Sequence, residues 1–212
     1  MSQDEKTIRE RLKGRRVLII EDDKDLAPRL GDVFKSWGVK ATDIRYRRCV
    51  RGSDHGALDF LCSEADSLDL ICVDIMLPWD EEALKTCDNR QHKWNELQEK
   101  VTKLRDRGPI ADQDVNDMRS KLSVLSGQIR ATIDRKAGVK MIIEWCKEMR
   151  KRSGKDWTPR AAILFLTARF EASLATEISE VKKYLSEFPK VKWITKPALE
   201  LQVVTAAAEL LT

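Results

Sequence analysis

The sequence predicts an α/β fold, a parallel sheet of five strands alternating with helices, interrupted partway by a long helical hairpin. Three observations lead there. Short apolar runs recur along the chain, each followed by a helical pattern. The stretch from about residue 80 to 135 has no strand signal and instead repeats its apolar residues at heptad spacing. The 212 residues are 42% hydrophobic and 35% charged, with only 9 Gly and 6 Pro, which suits a helix-rich globular chain rather than a disordered or disulfide-stapled one.

The first strand is Val17-Leu18-Ile19-Ile20, an unbroken apolar run of the kind that a strand covered on both faces shows. It stops at Glu21-Asp22-Asp23. A helical pattern follows (Leu26, Leu30, Val33, Phe34, Trp37) and closes at Gly38, a helix-terminating glycine. A second βα unit is expected from Lys40–Tyr46 and Ala57–Ser63, with RYRRCVRGSDHG blurring where its strand ends. Residues 68–73 (LDLICV) then read as a central strand that delivers Asp74 at its C-terminal end, ahead of Met76-Leu77-Pro78.

Beyond that, Trp94, Leu97, Val101 and Leu104 form one stripe, and Val115, Met118, Leu122, Leu125 and Ile129 form another. Gly108-Pro109 between them breaks the helix. The expectation is an antiparallel two-helix coiled coil whose arms, about 25 residues each, span roughly 38 Å at 1.5 Å per residue. Such one-sided stripes must bury against each other or against a partner. From Gly138 the α/β rhythm resumes with a helix through Met141, Ile142, Trp145 and Met149, then a basic loop to Pro159. The strand Ala161–Leu166 ends at Thr167. A helix over Glu171–Phe188, a strand over Val191–Thr195, Lys196-Pro197 and a last helix over Leu199–Leu211 complete the chain.

A net charge of +4, from 39 basic and 35 acidic residues, gives little support for direct nucleic-acid binding. No apolar run reaches the roughly 18–20 residues of a membrane span, and the first residues lack the apolar middle of a signal peptide, so a cytoplasmic protein without membrane contact is expected. Cys49, Cys62, Cys72, Cys87 and Cys146 are scattered without CxxC spacing, and His55 and His92 stand apart. Reduced thiols and solvated or packed histidines are the reading favoured over a zinc or thiol-redox site. Arg45, Arg47, Arg48 and Arg51 read as a solvated loop rather than a phosphate-binding patch.

One pattern carries chemistry: acids, a hydroxyl and a lysine each fall just after a predicted parallel strand. In open α/β sheets those strand ends line the ligand crevice, so Glu21, Asp22, Asp74, Thr167 and Lys196 are expected to converge. Clustered carboxylates repel and call for a cation. Mg²⁺ (or Mn²⁺) takes hard oxygen ligands, Lys196 adds a fixed charge, and the Thr167 hydroxyl can hydrogen-bond a phosphoryl oxygen. Phosphoryl transfer needs that electrostatic arrangement.

Four segments, in this order, resemble the receiver domains of two-component response regulators. VLIIEDD is similar to the first strand and acidic pair, LDLICVDIMLP to the phosphoacceptor segment, ILFLTAR to the switch-hydroxyl segment, and WITKP to the switch aromatic, lysine and proline. The resemblance implies a flavodoxin-like (βα)5 fold with strand order 2-1-3-4-5. It implies that Asp74 is the phosphoacceptor, receiving its phosphoryl group from a histidine kinase or phosphotransfer protein. Asp22, Asp74 and the Met76 backbone carbonyl would hold the metal, with Glu21 acting through a water. Thr167 and Lys196 would contact the phosphoryl oxygens, Trp193 would be the rotating aromatic, and the Lys196-Pro197 bond would be cis. Met76 and Arg169 occupy the positions that flank the attacking water's path in receivers. The chain would act on no separate metabolite, assisting only its own phosphorylation and dephosphorylation.

The resemblance covers residues 15–79 and 137–211, with 80–136 as an inserted hairpin and 1–14 as a polar extension. Receivers pass from Pro78 to Gly138 in a handful of residues, and their segment between Thr167 and Lys196 is shorter. No effector domain is expected after Thr212, so output would run through protein contacts, with the downstream partner and a homodimer left open. The rival reading is a phosphorylation-independent scaffold that assembles partners through the hairpin. A phosphatase of the haloacid-dehalogenase type wants a second acid two residues after its aspartate, where this chain has Met76.

Overall fold

Five strands form one sheet in the order β2-β1-β3-β4-β5, with every neighbouring pair parallel. They are β1 (Val17–Ile20), β2 (Ile44–Arg47), β3 (Leu70–Asp74), β4 (Ala162–Thr167) and β5 (Val191–Thr195). These elements come from a computed structural model that describes residues 3–105, 112–134, 136–167, 176, 179, 181, 190–196, 198 and 200–212. The α/β class and the flavodoxin-like strand order are as expected.

The strand sequences explain the layers. Side chains alternate between faces along a strand, and an apolar run therefore feeds two cores at once. Leu18, Ile20, Ile71, Val73, Ile163 and Phe165 face one cluster with α3 (Ala57–Glu64) and α6 (Ala137–Ser153). Val17, Ile19, Leu70, Cys72, Ala162, Leu164 and Leu166 face the other with α1 (Gln3–Leu12), α2 (Leu26–Ser36) and α7 (Glu200–Leu210). Because α2 leaves β1 onto one face and α6 returns from β3 on the other, the C-terminal ends of β1 and β3 flank the crevice where ligands bind in such sheets.

Two local expectations change. Residues 1–14, expected as a polar extension, contain α1, whose Ile8 and Leu12 are buried in the core. The second strand starts at Ile44 rather than Lys40, after a 3₁₀ turn over Ala41–Asp43, because it lies at the sheet edge and only Ile44 is fully buried. The described parts of the hairpin arms are α4 (Glu81–Arg105) and α5 (Asp112–Thr132), and residues 106–111 between them lie outside the described residues. The helix expected over 171–188 falls mostly outside the described residues, of which 176, 179 and 181 are helical. Gly108-Pro109 also lies outside them.

α4 and α5 pack along each other over a two-layer seam. Val101 and Leu122 are buried there, while Trp94, Leu97, Met118, Leu125 and Ile129 are half-buried, since a pair of helices has no third layer to cover the stripe. Arg90 of α4 donates to the Gln128 carbonyl at 2.7 Å and to Thr132 Oγ1, closing the seam near its root. A bridge between Leu77 and Asp134 joins the two ends of the insertion.

Candidate functional site

The parallel register sets the site. Ile20 pairs with Val73, so the residues that follow, Glu21 and Asp74, emerge side by side at the C-terminal edge, and Asp74 pairs in turn with Leu166, one residue before Thr167. Glu21, Asp74 and Thr167 are the buried polar or charged side chains among the described residues, at 2%, 6% and 1% exposure. Asp22 is half-buried beside them, and carboxylate oxygens of Glu21, Asp22 and Asp74 all lie within 4.8 Å of one another. The third acid of the run does something else: Asp23 Oδ1 accepts the N–H groups of Asp25 and Leu26 at 2.8 and 3.1 Å, ordering the entry to α2.

Lys196 arrives from the end of β5. Its own N–H donates to the Thr167 carbonyl at 2.5 Å, and its ammonium donates to Glu21 Oε2 at 2.5 Å and Asp74 Oδ2 at 2.7 Å. The other Asp74 oxygen, Oδ1, accepts the Met76 N–H at 3.0 Å. No ion pair reaches the Asp22 carboxylate among the described residues.

Three carboxylates against one ammonium leave excess negative charge in a place with little water. Burial first, and then repulsion from Asp74, raise Glu21 to about 8, with Lys196 pulling the other way. The same two causes raise Asp22 to about 7. Burial works against the Lys196 ammonium, but Asp74 and Glu21 outweigh it and raise its pKa. Protons or a cation would relieve that repulsion, and the three carboxylates are an all-oxygen donor set that could hold a metal ion. Among the described residues no other group of three or more His, Cys, Asp and Glu converges in this way.

Two neighbours hold the backbone around Asp74 and Asp22. Gly138, at the start of α6, packs so closely that a Cβ there would overlap the Asp74 carbonyl oxygen and lie 2.9 Å from Ile75 Cα; its N–H donates to the Ile75 carbonyl at 3.1 Å. Arg48 was expected in a solvated loop and is not. Its Nε and Nη2 donate to the Asp22 carbonyl at 3.1 and 2.6 Å, and its Nη1 and Nη2 grip the two Asp88 oxygens of α4 at 3.0 and 2.7 Å. The other arginines of that run go elsewhere: Arg45 donates to the Thr42 carbonyl, Arg47 lies 4.1 Å over the Phe60 ring, and Arg51 pairs with Glu144. Nothing local marks Arg48 out, since its partner Asp88 is 40 residues away.

Trp193 lies flat against Phe165, ring centroids 4.2 Å apart and 14° from parallel, and is partly buried. Arg169 and Pro197 are outside the described residues, and with them the expected cis bond. Cys49, Cys62, Cys72, Cys87 and Cys146 are free, and burial raises every one of these thiols, Cys49 and Cys87 to about 11 and Cys146 to about 12, away from thiolate reactivity. No helix among the described residues is long and apolar enough to cross a membrane. Comparison of the chain with protein-family models, with curated proteins and with solved structures finds no match.

Proposed function

We propose that the chain is a phosphorylation-switched receiver: Asp74 accepts a phosphoryl group from a histidine kinase or phosphotransfer protein, and the phosphorylated protein signals through protein contacts. The observation that carries this reading is the Lys196 ammonium bridging Glu21 and Asp74, beside Asp22, at the β1–β3 edge of a 2-1-3-4-5 parallel sheet. The four sequence segments that resemble receivers supply the residues of that arrangement.

In this reading Asp22, Asp74 and the Met76 carbonyl would hold Mg²⁺ or Mn²⁺, with Glu21 acting through a water. When bound, the metal would supply charge neutralisation for the phosphoryl oxygens. Asp74 contributes the nucleophilic carboxylate oxygen: an O–P bond forms as the donor's N–P bond breaks, and the imidazole nitrogen leaves with the electron pair. Lys196, already at hydrogen-bonding distance from Asp74, neutralises charge on the transferred group, and Thr167 donates its hydroxyl to it. Trp193 reports the change through its contact with Phe165. The protein thus acts on itself and turns over no separate metabolite.

Incubation with phosphoramidate and Mg²⁺, followed by intact-protein mass spectrometry, tests the proposal. One phosphoryl adduct is expected on the wild type and none on Asp74→Asn. An absent adduct, or equal adducts on both proteins, points instead to a scaffold that assembles partners through the hairpin.

A further inference from the structure

The hairpin is sewn to the same loop that borders the acidic cluster. Glu81, in the first turn of α4, accepts the N–H groups of Asp54 and His55 at 2.8 and 3.2 Å, and the Val50 and Arg51 N–H groups donate to the Pro78 and Trp79 carbonyls at 3.1 and 2.9 Å. Two turns along α4, Asp88 meets Arg48, whose other donors hold the Asp22 carbonyl. The Arg48 side chain is 19% exposed and its two-pronged grip on a carboxylate is the geometry in which an arginine is hardest to replace by another cation.

We propose that Arg48 and Asp88 form a latch that makes the inserted hairpin part of the metal site. Arg48 is a positioning residue. It touches no ligand oxygen of the cluster, but it fixes the main chain of Asp22 and therefore where the Asp22 carboxylate stands, and it does so while braced on α4. Position of α4 and metal affinity are then linked, and the linkage runs both ways: metal binding tightens the root of the hairpin, and a partner that pulls the hairpin away loosens the metal. This inference rests on the metal-binding part of the reading above and deepens it by naming how the insertion is coupled to the site.

Charge and positioning predict opposite outcomes for one substitution. Removing the Arg48 cation leaves the cluster more negative, so through-space electrostatics alone would tighten binding of a divalent cation in Arg48→Met. A latch predicts weaker binding, by roughly tenfold, the order of loss seen when a residue orienting a metal ligand is removed. The test titrates Mg²⁺ alone into the wild type, Arg48→Met and Asp22→Asn by calorimetry, and records the rise in Tm that Mg²⁺ produces in each. The expected result is binding to the wild type, loss in Asp22→Asn, and in Arg48→Met both weaker binding and a smaller Mg²⁺-dependent rise in Tm. A residue that merely supports the fold would lower Tm equally with and without metal. Equal or tighter binding in Arg48→Met overturns the latch and leaves the metal site standing, whereas no binding to the wild type overturns both. If Arg48→Met does not fold, Arg48→Lys, which keeps the charge and loses the fork, decides: weaker binding supports the latch and unchanged binding overturns it.

Discussion

Lys196 Nζ sits 2.7 Å from Asp74 Oδ2, joining residues 122 apart in the chain, and the same ammonium reaches Glu21. One cation thus neutralises part of a buried acidic cluster and defines the oxygen of Asp74 that faces it.

Replacing Lys196 by Met would strip that charge and leave two buried carboxylates facing each other. Breaking one partner out of a buried ionic group costs roughly 3–5 kcal/mol. Urea denaturation is expected to show a loss at the lower end of that range, because protonation of Glu21 can absorb part of it, and Mg²⁺ is expected to restore some of the stability.

The pH dependence has a definite sign. Glu21 and Asp22 rise from ordinary values of 4.5 and 3.8 to about 8 and about 7. Between those limits the folded chain holds protons that the unfolded chain has released, so metal-free stability falls as pH rises through that window and levels off above about 8. Lys196, raised above 10.5, contributes stability that is fully present below that value and is lost only in strong alkali. Because a cation competes with the same protons, Mg²⁺ affinity is expected to increase from about pH 6 to about pH 9, the span in which Asp22 and then Glu21 ionise. Calorimetry at three pH values checks it, and affinity independent of pH would contradict it.

Gly138→Ala is predicted to disturb the site without touching a charge. Its Cβ would overlap the Asp74 carbonyl oxygen, so either the start of α6 or the end of β3 must move, at a cost of about 1–3 kcal/mol. The rate of labelling of Asp74 by a small phosphodonor should fall along with stability. Gly127→Ala provides the contrast: nothing lies within 4 Å of a Cβ there, the residue is inside α5, and a gain of about 0.5–1 kcal/mol is expected.

Leu122→Ala should loosen the hairpin seam by about 2 kcal/mol, the low end for a leucine truncation, since its neighbours are half open to water. Amide exchange in α4 and α5 is the suitable measurement, and strands β1 and β3 should keep their protection.

How much of this was legible in the sequence follows from what each residue faces. β1, β3 and β4 are visible because all their residues are buried, which writes continuous apolar runs. β2 is blurred because an edge strand with one fully buried residue can carry arginines. α1 is hidden since only Ile8 and Leu12, one turn apart, mark it among charges. The convergence of Glu21, Asp22, Asp74 and Lys196 could be expected from strand ends alone, because parallel register does the placing. Arg48 could not, as its role depends on which of four similar arginines points at Asp22 and on a helix that the insertion happens to bring there.

In the proposed reaction Asp74 carries the phosphoryl group. An acyl phosphate is reduced by borohydride to homoserine, whereas phosphoserine and phosphothreonine are not, so reductive trapping after phosphoramidate treatment and peptide mapping identifies the residue. Homoserine is expected at position 74, dependent on Mg²⁺ and on Asp22. No trapped residue at position 74, or trapping that persists unchanged in Asp22→Asn without metal, would contradict it.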